Sequence, residues 1–305
     1  MTARPITATT ITATTITATT ITAGTRVAAV IGSPVRHSLS PALHNAAFAA
    51  AGVDWVYTAF EVAPGQAGAA LAAMRVLGLG GLSVTMPHKD DIAAAVDVLS
   101  PAAAALRTAN TVVRGTDGRL EGHSTDGEGF VASLRDAGVD PAGAAVAVLG
   151  AGGAARSVVD ALARAGAASV AVVNRTPAKA VVAASLAGAA GVVGTPEHIS
   201  GADIVVNATS VGMGSAGMAG DALPVDPTLL RAGQVVADLV YHPLDTALLV
   251  AARAAGATTV DGLGMLVHQA ALQQQLWLGA LPDVAVMRAA ALRELAARAA
   301  AAQIA

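Results

Sequence analysis

The fold is decided by Val146-Ala147-Val148-Leu149-Gly150-Ala151-Gly152-Gly153-Ala154-Ala155. The apolar start is typical of a buried strand, and the remainder matches the pattern G-x-G-x-x-G/A, with Ala155 in the third small position. In this pattern the first glycine permits a tight turn, the second lets the backbone approach a pyrophosphate, and the third small residue lets the next helix pack closely on the sheet. Apolar residues at helical spacing follow at Val158, Val159 and Leu162. This order of strand, turn and helix predicts a Rossmann-type dinucleotide-binding unit and argues against a chance match in a glycine-rich chain. The residues expected to bind the cofactor at this turn are Gly150, Ala151, Gly152, Gly153 and Ala154.

The next apolar run, residues 170–173, ends in Asn174-Arg175-Thr176. An NAD site would carry an acidic residue at this point for the ribose hydroxyl, whereas an arginine can pair with a 2′-phosphate. Lys179 lies one helical turn further on and would add a second positive charge. An exposed arginine on a solvated loop is the alternative, but the position directly after the strand favours a cofactor contact. The sequence therefore predicts NADP as the cofactor, in preference to NAD.

Alternating strand-like and helical runs on both sides of the turn predict an α/β protein with two domains. The first set has strands at residues 27–31, 55–60, 81–84 and 111–114, with helices at 41–51, 66–77 and 90–99. The second set has strands at residues 146–149, 170–173, 204–206, 235–239 and 258–260. We expect a substrate-binding catalytic domain at residues 24–124 plus 265–305 and an NADP-binding Rossmann domain at 125–264. The helix at 125–136 is the predicted hinge, and the active site is expected in the cleft between the domains.

Composition excludes several classes of function. The net charge of −3 offers no basic face for nucleic acid, and the absence of cysteine excludes disulfides, thiolate metal sites and a cysteine nucleophile. The seven histidines show no metal-binding spacing, so no metal is expected. No run of about 18 strongly apolar residues is present, so we expect a cytoplasmic protein that does not enter a membrane.

The N-terminal residues 6–23 repeat Ile-Thr-Ala-Thr-Thr with a period of five, which matches neither helix nor strand. We interpret residues 1–23 as a low-complexity, disordered tail. A transit peptide is a weaker interpretation, because Arg4 is the one basic residue before Arg26. A translation start assigned too far upstream would also explain the repeat, with the folded protein beginning near Gly24.

Polar residues that a packed core would not tolerate lie near the ends of several predicted strands, namely Ser38, Ser40, Thr85, Lys89, Asn110 and Asp126. We expect Ser40 to cap a helix whose first residue is Pro41. Two serine hydroxyls and amides at a helix start would suit a substrate carboxylate. A lysine and a carboxylate upstream of a dinucleotide turn suggest proton transfer coupled to hydride transfer.

These residues belong to an ordered series of motifs. The first half contains His37-Ser38-Leu39-Ser40-Pro41 with His44-Asn45 (H-S-x-S-P-x-x-H-N), Val84-Thr85-Met86-Pro87 through Lys89 (V-T-x-P-x-K), Asn110-Thr111 (N-T) and Thr125-Asp126-Gly127 (T-D-G). The second half contains N-R-T at 174–176, N-A-T-S-x-G-M at 207–213, D-x-x-Y-x-P at 238–243 and G-M-L-x-x-Q at 264–269. In these motifs the chain after Gly24 resembles the shikimate dehydrogenase family, NADP-dependent enzymes that reduce 3-dehydroshikimate to shikimate for chorismate and aromatic amino acid biosynthesis.

The resemblance implies a role for each matched residue. Lys89 would be the catalytic acid and base, and Asp126 would orient it. The substrate would be bound by Ser38, Ser40, Thr85, Lys89, Asn110, Asp126, Tyr241 and Gln269. The further cofactor contacts would be Asn174, Arg175, Thr176, Lys179, Thr209, Ser210 and Gly262. The family contains monomers and dimers, so the resemblance allows a monomer or a homodimer.

Two positions depart from the family pattern. Ser83 stands where the family usually has Asn in N-V-T, and Ser124 stands where Asn usually precedes T-D-G. Both neighbour predicted site residues without replacing one.

Three other functions fit parts of the sequence. A catabolic, NAD-dependent quinate/shikimate dehydrogenase would share the substrate motifs but would favour an acidic residue over Asn174-Arg175. A non-catalytic nucleotide-binding paralogue would be expected to lack Lys89 or Asp126. A dehydrogenase of the methylenetetrahydrofolate type would give no role to Ser38 and Ser40.

Overall fold

The computed structural model describes residues 21–214 and 222–304, which form two six-stranded sheets, one in each half of the chain. Residues 1–20 of the predicted tail lie outside the described residues. Within the two described ranges, no helix is long and apolar enough to cross a membrane. Helices flank both sheets, so the predicted α/β class is confirmed.

The first sheet is mixed. Its strands are β1 (Arg26–Gly32), β2 (Trp55–Glu61), β3 (Gly81–Val84), β4 (Val98–Leu99), β5 (Thr111–Arg114) and β6 (Leu120–His123). Its helices are α1 (Ser40–Ala51), α2 (Ala67–Leu77), α3 (Lys89–Ala95) and α4 (Pro101–Leu106). The strand order is β2-β1-β3-β5-β6-β4, and β1 pairs in parallel with both β2 and β3. The loops after β1 and β3 therefore leave the sheet at the same edge.

Helix α5 (Asp126–Asp136) connects this sheet to the second one. The strands of the second sheet are β7 (Ala145–Leu149), β8 (Ser169–Val173), β9 (Gly191–Val193), β10 (Ile204–Asn207), β11 (Val235–Asp238) and β12 (Thr258–Val260). Its helices are α6 (Gly153–Arg164), α7 (Pro177–Ser185), α8 (Pro196–Gly201) and α9 (Ala247–Ala254). All neighbouring strands are parallel, in the order β9-β8-β7-β10-β11-β12, which is the 3-2-1-4-5-6 order of dinucleotide-binding sheets. The order reverses between β7 and β10, where ligands bind in such sheets.

The last two helices, α10 (Gly262–Leu278) and α11 (Val284–Ile304), return the chain to the first sheet. Leu43 of α1, Val267 of α10 and Met287 of α11 belong to one buried apolar cluster. In contrast, Phe130 and Leu134 of α5 are buried with the strands and α6 of the second sheet. Helices α5 and α10 therefore lie between the two sheets.

Two local predictions were wrong. The helix expected at residues 90–99 ends at Ala95, because the carboxylate of Asp97 accepts hydrogen bonds from the Leu120 backbone (2.7 Å) and from Arg75 (2.5 Å), and the next two residues pair with β6 as β4. Ser40 is the first residue of α1 and not its cap, which is Leu39. The sequence prediction also missed β6, because Leu-Glu-Gly-His contains none of the strand-favouring residues Val, Ile, Thr, Phe, Tyr or Trp.

Helix α5 is held between α6 and α10 by contacts that leave no room for a side chain. A Cβ atom on Gly127 would overlap the carbonyl oxygen of Ser157 in α6. A Cβ atom on Gly129 would lie 2.6 Å from the backbone nitrogen of Gln269 in α10 and 2.8 Å from its Cα atom. Since α5 and α10 touch through their backbones here, the position of Gln269 depends on Gly129.

We expect Gly129→Ala to push α5 and α10 apart and to lower the free energy of unfolding by about 1–3 kcal/mol, the usual effect of overpacking. Equilibrium unfolding in urea measures this change. Gly68→Ala is the matched control, because no atom lies within 4 Å of the added Cβ in α2. That variant should be neutral or stabilised by up to about 1 kcal/mol. Equal stability of the two variants would contradict the tight α5–α10 contact.

Candidate active site

A cavity of about 450 Å³ lies where the loops after β1 and β3 face the end of β11 and the start of α10. The predicted site residues that line it are Ser38, Ser40, Thr85, Lys89, Asn110, Asp126, Ala154, Tyr241, Gly262 and Gln269. Both halves of the chain therefore contribute to one cavity. Among the residues that the structure describes, no group of three or more His, Cys, Asp or Glu side chains is placed to hold a metal ion.

An ion pair joins the two halves at this cavity. Lys89, the first residue of α3, donates from Nζ to Oδ2 of Asp126, the first residue of α5, over 2.6 Å. Asn110 donates from Nδ2 to the other carboxylate oxygen over 2.7 Å and to Thr125 Oγ1 over 2.9 Å. The Lys89 side chain is 25% exposed and that of Asp126 only 11%. The ammonium group therefore faces the cavity, while Asn110 and Lys89 together fix the carboxylate.

The turn that carries Lys89 is tied to the neighbouring strand. The Thr85 amide donates to the Ile31 carbonyl over 2.9 Å, and the Met86 carbonyl accepts from the Ser33 amide over 2.9 Å. His88 is buried, and its Nε2 lies 2.8 Å from the Val62 carbonyl oxygen. These bonds hold Thr85 and Lys89 beside the loop that follows β1.

The loop with the two predicted carboxylate-binding serines is held by the last helix. Arg298 of α11 donates to the carbonyl oxygens of His37 (2.6 Å) and Ser38 (3.2 Å). The Ser38 hydroxyl accepts a hydrogen bond of 3.2 Å from the Ser40 amide. Both hydroxyls border the cavity at the start of α1, where they can donate to an anionic group.

The glycine-rich turn has the backbone that a bound pyrophosphate requires. Gly150 has φ = +104°, and an added Cβ would lie 3.0 Å from the Thr209 side chain. Gly152 and Gly153, by contrast, face open space, because nothing lies within 4 Å of an added Cβ at either position. Since α6 begins at Gly153 without a side-chain cap, its first amides are directed towards this space.

The other predicted cofactor residues surround this turn on the neighbouring strands. Arg175, Thr176 and Lys179 are exposed after β8, which pairs with β7. The Asn174 side chain donates to the Thr176 carbonyl over 3.0 Å and so shapes this loop. These residues and Gly150 to Gly153 lie at the carboxyl ends of adjacent parallel strands. They are outside the cavity that contains Lys89 but at the same edge of the second sheet.

A buried carboxylate holds the loop on the other side of β7. Asp238 accepts hydrogen bonds from Asn207 Nδ2 (2.9 Å) and Thr246 Oγ1 (2.7 Å). Asn207 Oδ1 accepts in turn from the Thr209 hydroxyl over 2.7 Å. Burial raises the pKa of Asp238, although its hydrogen bonds act in the opposite direction. The network fixes the end of β10 and therefore the predicted cofactor residues Thr209 and Ser210.

Several cavity residues were not predicted to act in the site, namely Ser83, Met213, Leu239, Met265, Leu266 and Gln273. Four of them, Met213, Leu239, Met265 and Leu266, are apolar, and each lies in or next to one of the motifs described above. Gln273 follows Gln269 by four residues, so both lie on one face of α10. This spacing is the signal that could have identified Gln273.

Comparison with known proteins connects this site to a family. The family models that match describe the substrate binding domain of shikimate dehydrogenase (residues 30–112), shikimate/quinate 5-dehydrogenase (135–213) and the C-terminal domain of shikimate 5′-dehydrogenase (262–292). The chain is 46% identical over 271 residues to the NADP(+) shikimate dehydrogenase of Moorella thermoacetica, an alignment that covers 86% of this chain and 90% of that relative. The chain belongs to the shikimate dehydrogenase family.

Solved structures of related enzymes have the same fold. The shikimate 5-dehydrogenase of Thermus thermophilus, solved with NADP(H) and shikimate, is 38% identical with a TM-score of 0.82, covering 88% of this chain and 99% of that one. The quinate dehydrogenase of Corynebacterium glutamicum, solved with NAD, is 32% identical with a TM-score of 0.81, covering 88% and 99%. Within the shikimate dehydrogenase family, the fold alone therefore does not distinguish the two substrates.

A buried histidine lies behind the serine loop of this site. The His44 ring stacks on Tyr57 with 4.1 Å between ring centroids, and its Nδ1 lies 3.0 Å from Gln274 Nε2. Because the amide nitrogen of Gln274 can only donate, Nδ1 accepts and the neutral ring carries its proton on Nε2. Complete burial lowers the pKa of His44 to about 3.

The low pKa of His44 predicts a stability that depends on pH. The unfolded chain takes up a proton here below about pH 6.5, whereas the folded chain does not until about pH 3, so stability present above pH 6.5 is lost as the pH falls. This residue should lower the free energy of unfolding by roughly 2 kcal/mol between about pH 7.5 and about pH 5. Urea unfolding at both pH values should show a smaller decrease for His44→Asn, which retains an acceptor but cannot titrate. The same decrease in both proteins would refute the assignment.

Proposed function

We propose that this protein is an NADP-dependent shikimate dehydrogenase that reversibly reduces 3-dehydroshikimate to shikimate, the reaction that serves chorismate and aromatic amino acid biosynthesis. The observation that carries the proposal is the Lys89–Asp126 pair in a cavity that Ala154, at the dinucleotide turn, also lines. This arrangement places a proton donor beside the site where hydride transfer would occur. We place the enzyme in the cytoplasm, as a monomer or a homodimer.

The polar residues of the cavity fit a small hydroxylated carboxylic acid. Ser38 and Ser40 offer hydroxyl donors for the carboxylate, and Tyr241 lines the same cavity. Lys89, Asp126 and the predicted substrate residues Thr85, Asn110 and Gln269 are assigned to the ring hydroxyls. We assign the substrate to the domain formed by residues 24–124 and 265–305, and the cofactor to residues 125–264.

The second sheet fits NADP. The open space at Gly152 and Gly153 accommodates a pyrophosphate, and the exposed side chains of Arg175 and Lys179 suit the negative charge of a 2′-phosphate. Asn174 and Thr176 complete this loop, while Thr209, Ser210 and Gly262 would border the nicotinamide half. When bound as NADPH, the cofactor supplies the hydride for the carbonyl carbon of the substrate.

Side chains of the protein donate and accept the proton. Lys89 Nζ donates a proton to the carbonyl oxygen that becomes the new hydroxyl, and the same nitrogen takes that proton back in the reverse reaction. Asp126 keeps the ammonium directed at this oxygen through the 2.6 Å contact, and Asn110 keeps the carboxylate in place. Met213, Leu239 and Met265 add apolar surface to the lining of the same cavity.

We expect Lys89→Met to lower kcat by about 10²–10⁴, because the variant cannot supply the proton. The KM for NADP should change little, since the Lys89 ammonium group binds Asp126 and is assigned to the substrate. Steady-state oxidation of shikimate, followed by absorbance of the reduced nicotinamide, measures both constants. Asp91→Asn, on the exposed side of the same helix, is the control and should retain normal turnover. An unchanged kcat for Lys89→Met would remove this residue from the mechanism.

The wild-type enzyme should use shikimate with NADP far better than shikimate with NAD or quinate with either cofactor. Arg175→Ala should raise the KM for NADP by about 10–100-fold and leave that for NAD nearly unchanged, because only NADP has a 2′-phosphate to pair with. Arg293→Ala, an exposed arginine on α11, serves as the control. A wild-type preference for NAD or quinate would place the protein among the catabolic relatives. Absence of activity with every pair would favour a nucleotide-binding protein without catalysis.

A further inference from the structure

A chain of three hydrogen-bonded side chains forms one wall of the cavity. The Ser83 hydroxyl on β3 donates to Gln273 Oε1 over 2.7 Å, and Gln273 Nε2 donates to Gln269 Oε1 over 2.8 Å. All three residues border the cavity and are at most 8% exposed. These hydrogen bonds therefore link β3, a central strand of the first sheet, to helix α10.

These bonds determine which atoms Gln269 presents to the cavity. Its oxygen is occupied by Gln273 and lies 3.5 Å from the Asn110 amide, while its nitrogen donates to the Leu266 carbonyl over 2.9 Å. A carboxamide nitrogen carries two N–H groups, so one donor of Gln269 is left for a ligand. The opposite orientation would direct the nitrogen of Gln269 at the nitrogen of Gln273, and neither atom could accept.

The first side chain of this hydrogen-bonded series, Ser83, departs from the usual family pattern. Ser83 stands where the family usually has Asn, so β3 supplies a short hydroxyl here instead of a carboxamide. Gln273 extends from α10 to this hydroxyl and brings a carboxamide to the cavity wall from the opposite side. Both side chains are almost fully buried, so an unpaired partner would be costly.

We infer that Gln273 is a positioning residue that determines substrate specificity: it holds Gln269 with an N–H group towards the substrate, so that this wall selects a ring hydroxyl as acceptor. The inference rests on the proposed shikimate dehydrogenase activity. In this inference Gln273 does not contact the reacting atoms. Proton transfer remains the role of Lys89, which Asp126 orients.

The test compares shikimate with its 4-deoxy and 5-deoxy analogues, each oxidised with NADP by the full-length enzyme. In Gln273→Met the kcat/KM for shikimate should fall about tenfold, mainly through KM, because the orientation of Gln269 is no longer fixed. The value for the analogue that lacks the selected hydroxyl should stay within about twofold, so discrimination against that analogue shrinks.

Gln273→Glu retains the bond to Ser83, but its carboxylate can only accept hydrogen bonds. Gln269 must then direct an N–H group, in place of its oxygen, at residue 273. This variant should show the same loss of discrimination.

Gln274→Met is the matched control, because Gln274 is equally buried on the same helix but bonds to His44. It should lower thermal stability and leave discrimination among the three substrates unchanged. Equal proportional losses for shikimate and both analogues in the two Gln273 variants would show a merely structural role and would overturn the inference. A wild-type enzyme that is active on shikimate separates that result from a failure of the proposed function. A wild-type protein that neither binds nor oxidises shikimate would overturn both.

Discussion

The contact between Lys89 Nζ and Asp126 Oδ2 is the interaction on which the rest of the site depends. Lys89 begins a helix of the first sheet and Asp126 begins the helix that leads to the second, so one ion pair sets the chemistry and the junction together. An exposed pair of this kind would contribute little, but this one is partly covered and its carboxylate is also bound by Asn110. The geometry of the proposed proton transfer therefore depends on the connection between the two halves of the chain.

That connection is rigid because helices α5 and α10 meet without side chains between them. Gly127 and Gly129 let α5 approach α6 on one side and α10 on the other. Asp126 and Gln269 lie directly at these contacts, so the same helix packing positions the proposed catalytic pair and the cavity wall with Gln273. The buried Asp238 network performs the equivalent task for the loop after β10. Neither the glycines of α5 nor Asp238 is expected to touch the substrate, yet both determine where the neighbouring site residues lie.

The sequence predicted the second sheet more completely than the first. Parallel strands buried on both faces are continuous apolar runs, and the turn at Gly150 has a recognisable pattern, so β7, β8, β10 and β11 were placed within two residues. The mixed sheet gives weaker signals. Strand β6 lacks β-branched residues, and β4 follows Asp97, whose carboxylate accepts a long-range hydrogen bond from the Leu120 amide. The spacing of Gln273 from Gln269 places it on the same helix face, but the partner that indicates its role, Ser83, lies 190 positions away in sequence. Local patterns identify residues that act through their own motif, whereas residues that act through a distant partner require the fold.

The two hydrogen bonds from Arg298 to the loop at His37 and Ser38 also affect the order in which the molecule can be completed during synthesis. The second sheet contains all its strands by Val260, so it can form while the ribosome is still translating the final helices. The serine loop, although made early, acquires its fixed shape only after the last helix has emerged from the exit tunnel. A nascent chain can thus complete the sheet proposed to bind the cofactor before it completes the pocket proposed to bind the substrate carboxylate.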